Sequence, residues 1–222
     1  MRFNFLQKHI PIKHIKISYS ITICTEFIEI QKLLPFLLEH KRIQDEIVIL
    51  YDEENGDPEV LQYLLKFNKL PNVQTWRGRF KGNFADWKNQ LIEYCCNGNY
   101  IFNIDADEMP HENLIKALPA MLEENEDTEV LMVPRVNTVK GLTANHIADW
   151  GWRINDKGWV NYPDWQMRIW KNKPKIKWKG KVHETLTGFK KYSMLPDMEE
   201  YSLYHHKTID KQEKQNNYYS TL

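Results

Sequence analysis

Cysteine is scarce: three among 222 residues. Cys95 and Cys96 are adjacent and Cys24 is remote, so no C-x-x-C spacing is present for zinc, and sequence neighbours rarely bridge. We read reduced, mostly buried thiols and a cytoplasmic setting. Apolar runs of membrane length are also missing; the longest are strand-sized, which excludes a transmembrane helix. The opening residues, MRFNFLQKHIPIKHIKISYS, have no apolar h-region and no small-residue cleavage site, so a secretory leader is not expected. Lys8, Lys13 and Lys16 suit either a solvated rim or peripheral contact with an anionic membrane surface. Neither sign of charge dominates: 30 Lys and Arg stand against 30 Asp and Glu. That balance argues against a nucleic-acid partner, although a local patch survives a zero total. A Gly-rich phosphate loop and a G-x-x-x-x-G-K motif are absent, which weighs against nucleotidyl or phosphoryl chemistry of the P-loop kind. Internal repeats and low-complexity linkers are absent too. With 42% hydrophobic and 27% charged residues, the chain reads as one globular domain over 1–222.

What is present is an alternation of apolar strands and helical periods. IKISYSITICTE (15–26) is rich in β-branched residues and predicts a first strand. FIEIQKLLPFLLEHKR then places Phe27, Ile30, Leu33, Leu34, Leu37 and Leu38 at helical spacing, with Pro35 as a kink or a start. EIVILYDEENGD carries the near-continuous run Ile47-Val48-Ile49-Leu50, which suits a parallel strand covered on both faces. EVLQYLLKFNKL reads as a helix, NVQTW as a strand, FADWKNQLIEYCC as a helix and YIFNI as a buried strand. HENLIKALPAMLEEN (helix) and TEVLMVPRVN (strand) follow. This is the pattern of a doubly wound α/β sheet, in which ligands sit at the carboxyl ends of the strands. Thr25, Asp52 and Asp105 all fall at such ends. Beyond about residue 140 the periodicity fades and five of the eight tryptophans cluster. KIKWKGKVHETL reads as a strand pair, and the tail YSLYHHKTIDKQEKQNNYYSTL begins as a strand and ends polar.

The strand YIFNI runs into Asp105, Asp107 and Glu108. Like charges this close repel, and desolvating them costs free energy unless a cation or a proton compensates. Side chains alternate along a strand, so Asp105 and Asp107 share a side. Two such carboxylates suit a hard divalent cation with positions open for phosphate oxygens. The alternative is a solvated turn in which Asp107 or Glu108 caps the helix from 111.

The run of apolar strand, D-A-D-E, Pro and helix resembles the D-x-D region of family 2 glycosyltransferases. FADWKNQLIEYCCNGNYIFNIDADE resembles that family's Asn-bearing helix leading to the D-x-D strand, and DEIVILYDEENGD its strand ending in Asp. QMRIWKNKPKIKWKGKVHETL resembles the stretch where an Arg-containing strand precedes W-x-G-x-V-H-E, and LYHHKT a histidine-bearing strand. Together these cover roughly residues 17–210. Where the family often carries D-x-S-x-D after the second strand, this chain has YDEENGD. The resemblance implies a GT-A fold: a Rossmann-like, mostly parallel sheet flanked by helices, with a small C-terminal β-containing extension. A nucleotide-binding half would span about 15–110 and an acceptor and catalytic half about 111–222. It implies an inverting, metal-dependent glycosyltransferase that uses a nucleotide-sugar, with a UDP-sugar favoured.

On that resemblance Asp107 is the more direct ligand of Mn2+ or Mg2+, and Asp105 lies nearer the ribose and the metal. A C-terminal histidine closes the metal site in some relatives; His205 and His206 are candidates, only one can face the site, and we select His205. Glu184 is the expected general base that takes the acceptor proton, its alternative an exposed pairing with Lys179 or Lys181. His183 would orient a neighbour or contact phosphate. Asp52 is matched with the residue that accepts from uracil, and Thr25 and Asp86 are weaker members of the same pocket, with strand-end capping and a helix surface charge as alternatives. Arg168 suits the donor's phosphates or sugar, or an internal salt bridge. Trp150, Trp152, Trp159 and Trp165 suggest a mobile lid over 145–160 that stacks on sugar rings, with Trp165 in the core. The acceptor is a glycan, a lipid or another hydroxyl. Two other functions compete: a non-catalytic carbohydrate- or nucleotide-binding module, and a metal-dependent nucleotidyltransferase.

Overall fold

The structure is a computed structural model and describes residues 14–220. Lys8, Lys13 and the reading of the opening residues as lacking a leader lie outside that range. Strands β1 (Ile17–Ile23), β2 (Glu46–Asp52), β3 (Val73–Gly78) and β4 (Tyr100–Asp105) form a parallel block in the order β3-β2-β1-β4. Helices α1 (Phe27–His40), α2 (Pro58–Leu65) and α3 (Phe84–Tyr94) make the crossovers.

The apolar run of β2 shows why both faces are covered. Ile47, Ile49 and Tyr51 pack in one buried cluster with Ile30, Leu33 and Leu37 of α1 and Val60 and Leu64 of α2. Val48 and Leu50 point the other way and join Ala85, Trp87 and Leu91 of α3. α1 continues through Pro35 without ending there.

Beyond β4 the sheet is completed by antiparallel β8 and by β6 and β11. In chain order the remaining elements are β5 (Glu108–Pro110), α4 (Glu112–Glu124), β6 (Val130–Val133), β7 (Arg135–Lys140), α5 (Ala144–Asp149), β8 (Gln166–Lys171), β9 (Lys177–Lys179), β10 (Thr185–Thr187), β11 (Tyr192–Met194), β12 (Leu203–Thr208) and α6 (Ile209–Ser220). The large sheet therefore runs β11-β6-β8-β4-β1-β2-β3. Antiparallel β9 and β10 form the expected strand pair.

Two features depart from the sequence expectation. TEVLMVPRVN is not one strand: it divides at Pro134, which cannot donate to a ladder. β6 stays in the large sheet while β7 enters a separate three-stranded sheet, β5-β12-β7. The polar tail also forms a helix, α6. No helix among the described residues is long and apolar enough to cross a membrane.

Candidate active site at the strand ends

The carboxyl end of β4, the small sheet, the β9–β10 connection, the tryptophan-rich segment and α6 enclose a cavity of about 570 Å3. Of the residues expected from the sequence, Asp105, Asp107, Arg168, Glu184 and His205 line it together. Thr25, Asp52 and Asp86 do not. Thr25 and Asp86 are exposed, and the Asp86 amide donates to Asn83, which caps α3. Asp52 is buried, 3% exposed. It accepts from the Glu54 and Phe80 amides through Oδ1 and from Asn55 through Oδ2, holding its own turn together.

Charge alternates along one wall. Arg135 donates to Asp164 (Nη2 to Oδ2 2.6 Å) and to Glu108 (2.9 Å). Glu108, with a fully buried side chain, also accepts from Arg168 at 2.6 Å. Arg168 reaches on to Asp105, and Lys88 then bridges Asp105 at 3.0 Å and Glu184 at 2.7 Å. Buried charges persist when each has an opposite neighbour and hydrogen bonds. Burial acts to raise the Asp105 carboxyl pKa, but Arg168 and Lys88 overcome it and hold it well below the usual carboxylate range. Arg168 Nε is itself buried and has no partner among the described residues.

Glu108 is thus neither solvated nor a helix cap. His111 caps α4, its Nδ1 accepting from the Asn113 amide at 3.1 Å. Glu184 pairs with Lys88 rather than with Lys179 or Lys181. The sequence reading missed Lys88, Arg135 and Asp164, and it named Glu108 without its pairing to Arg135 and Arg168.

On β12 burial alternates: His205 is buried and His206 exposed. In register His205 sits between Glu108 of β5 and Asn137 of β7. Asn137 gives its amide N–H to Asp164 Oδ2 at 2.8 Å, an acceptor only. That fixes the amide, so its oxygen faces His205 Nδ1 at 2.9 Å and places a proton on Nδ1. His205 Nε2 then lies 3.4 Å from Asp107 Oδ2. A lone pair facing a carboxylate at that separation needs a proton or a metal cation between them. Burial acts to raise the Asp107 pKa, and His205, Lys211 and Lys207 more than offset it, holding the carboxyl below its ordinary value.

Among the described residues no group of three or more His, Cys, Asp and Glu side chains is gathered as a metal cage. The donor set is one carboxylate and one oriented imidazole. It fits a divalent cation that takes its other positions from phosphate oxygens and water, the imidazole favouring manganese.

The tryptophans divide. Trp150 stacks on His146 and packs on Trp152 at 4.7 Å between centroids, and Trp159 meets Tyr162 at 4.8 Å. Trp152 lines the cavity, and so does Trp165, which is half-buried at its wall rather than in the core.

Comparison with known proteins agrees with this architecture. No curated protein sequence matches the chain. Residues 1–349 of S. aureus TarS in complex with UDP-GlcNAc align with a TM-score of 0.62 at 15% identity, over 87% of this chain and 59% of that one. The same fragment in complex with UDP gives 0.59 at 14% identity, over 86% and 60%. The chain thus spans about three fifths of the TarS fragment, and at such identity the likeness shows the fold, which is GT-A. The sequence profile named Glycosyl transferase family 2 matches residues 20–194. It extends from within β1 to the end of β11, and the chain belongs to glycosyl transferase family 2.

Proposed function

We propose that the cavity transfers a sugar from a nucleoside diphosphate donor to an acceptor hydroxyl with inversion at the anomeric carbon. The observation that carries this reading is the facing pair Asp107 and His205, at the carboxyl end of β4 and on the same cavity as Glu184. Asp107 and His205 are the residues that would hold a divalent cation. Bound with the donor, it supplies positive charge where the leaving diphosphate becomes more negative.

The remaining steps fall to side chains. Glu184 removes the acceptor proton as the acceptor oxygen bonds to the anomeric carbon. The bond from that carbon to the diphosphate oxygen breaks, and its electron pair stays with the diphosphate. Lys88 keeps the Glu184 carboxylate aimed through their 2.7 Å contact. Arg168, tied to Asp105 and Glu108 and on the cavity wall, turns its guanidinium charge toward the donor. Asp105 lies on the ribose side. The nucleotide base extends past the cavity toward Thr25, Asp52 and Asp86, where Asp52 Oδ2 accepts from uracil in competition with Asn55. Residues 15–110 thus hold the nucleoside, and 111–222 form the acceptor and catalytic half, from which Arg168 and His205 reach the donor. Trp152 faces the acceptor as part of a lid over 145–160, with Trp165 on the wall beside it; the free thiols, of which Cys95 alone is buried rather than most of them, fit a cytoplasmic setting.

The test is calorimetric titration of UDP with and without Mn2+, beside Asp107→Ala. Metal-dependent binding that the variant loses supports the reading. Binding indifferent to metal and to Asp107, or no binding, refutes it.

A further inference from the structure

We infer that Lys207 and Lys211 are contacts for the diphosphate of the donor, and that Lys211 exchanges Asp107 for that diphosphate when the donor arrives. The inference rests on the donor reading above and adds residues and a movement to it.

Lys211 Nζ lies 3.3 Å from Asp107 Oδ2 and 3.2 Å from Glu29 Oε1. It therefore stands against the same carboxylate oxygen that faces His205. A cation held by Asp107 and His205 would repel this ammonium at close range. Relocation costs Lys211 little, because Glu29 stays within reach and an anion beside the cation offers a new partner.

Lys207 supplies the second observation. It is 8% exposed and on the cavity wall. Its ammonium donates to the Gln215 side-chain oxygen, and among the described residues no carboxylate lies within 4.0 Å of it. A buried ammonium with only a neutral partner is unfavourable unless the site is built to receive an anion. Lys207 and Lys211 thus both act on Asp107, and among the described residues the other carboxylate in ion-pair range, Glu29, serves Lys211 alone. A diphosphate supplies the missing negative charge. Ammonium groups are compact point charges on flexible stems, suited to follow charge as it builds on the leaving oxygens.

The helix that carries Lys211 is placed to make the exchange. Thr208, at the β12–α6 junction, receives the Lys211 amide at 3.3 Å. Further along α6, Glu213 pairs with His146 of α5 at 3.5 Å, and the Tyr219 ring sets its edge against Phe84 and His183. Gln212, Gln215 and Tyr219 line the cavity. α6 therefore spans the opening as a strap whose first turn holds Lys211.

UDP and UMP, each with Mn2+, are titrated into wild type and into Lys207→Met, Lys211→Met and Lys211→Arg, with thermal unfolding confirming that each variant folds. The two methionine variants should each weaken UDP by about tenfold, the loss of one charge-assisted hydrogen bond. UMP should change little, and Lys211→Arg should keep most of the UDP affinity. Equal weakening of UDP and UMP would reveal a structural role and overturn the inference, as would unchanged UDP binding in both methionine variants. Wild type that does not bind UDP would instead overturn the donor reading, and this inference with it.

Discussion

The Glu184 carboxylate lies 2.7 Å from the Lys88 ammonium, which is itself 5% exposed and sits 4.9 Å from the centre of the Trp178 ring. The expected base is therefore positioned by a residue from the opposite half of the chain, through a contact that also reaches Asp105.

Replacing Lys88 by Met leaves Glu184 and Asp105 without this partner. Breaking a fully buried pair costs 3–5 kcal/mol; here Asp105 keeps 31% of its side-chain surface open, so a loss of roughly 2 kcal/mol is expected in urea unfolding. On the donor selected by titration, kcat should fall on the order of a hundredfold. Lys88→Arg should recover a part of both.

Asn137 sets the His205 tautomer. Asn137→Ala should weaken Mn2+ binding in the presence of UDP by about 10- to 100-fold, the usual effect of removing the partner that orients a metal-binding imidazole. Titration of Mn2+ followed by its electron paramagnetic resonance signal measures this directly.

Glu129 joins the start of β6 to the β8–β9 and β10–β11 connections. Lys175 at 2.8 Å, Lys173 at 2.9 Å and the Lys190 amide draw its pKa from 4.5 down to about 2. The folded value lies below the unfolded one, so the contribution to stability is complete above about pH 4.5 and lost as the pH falls toward 2. Urea midpoints recorded across that window should fall more steeply for wild type than for Glu129→Gln. Parallel curves would contradict the assignment.

Gly188 has φ +82, and a Cβ there would stand 1.9 Å from the Lys175 carbonyl oxygen. Neither the backbone angle nor the contact admits another residue. Gly188→Ala should cost about 2–4 kcal/mol in chemical unfolding.

The parallel half of the fold was readable because buried parallel strands are written as uninterrupted apolar runs, as Ile47–Leu50 illustrates. Alternation along LYHHKT showed that only one of His205 and His206 could face inward, and the structure buries His205 and exposes His206. Ion pairs left no such trace. Arg135 meets Glu108 across 27 residues and Arg168 meets Asp105 across 63, and no local period reports a partner so distant. In the structure Ala106, Glu108 and Pro110 are all buried while Asp105, Asp107 and Met109 are not, a period that the apolar Met109 hides in the sequence. That two-residue period continues past the end of β4.

α6 escaped for a different reason. IDKQEKQNNYYS has no apolar stripe, and a helix polar all round is stabilised by what it docks against rather than by its own pattern. Its anchors are Tyr219 against Phe84 and the Glu213–His146 pair. The half-buried position of Trp165 likewise reflects the shape of the cavity wall, which composition does not reveal.

β12 is the middle strand of the small sheet, with β5 on one side and β7 on the other. Both outer strands are synthesised well before it, and neither has the other as a neighbour. On the ribosome the large sheet can therefore assemble while Asp107 still lacks His205, Lys207 and Lys211. Completion of the cluster around Asp107 is tied to the insertion of one late strand, and its wall of the cavity stays open until that strand is seated.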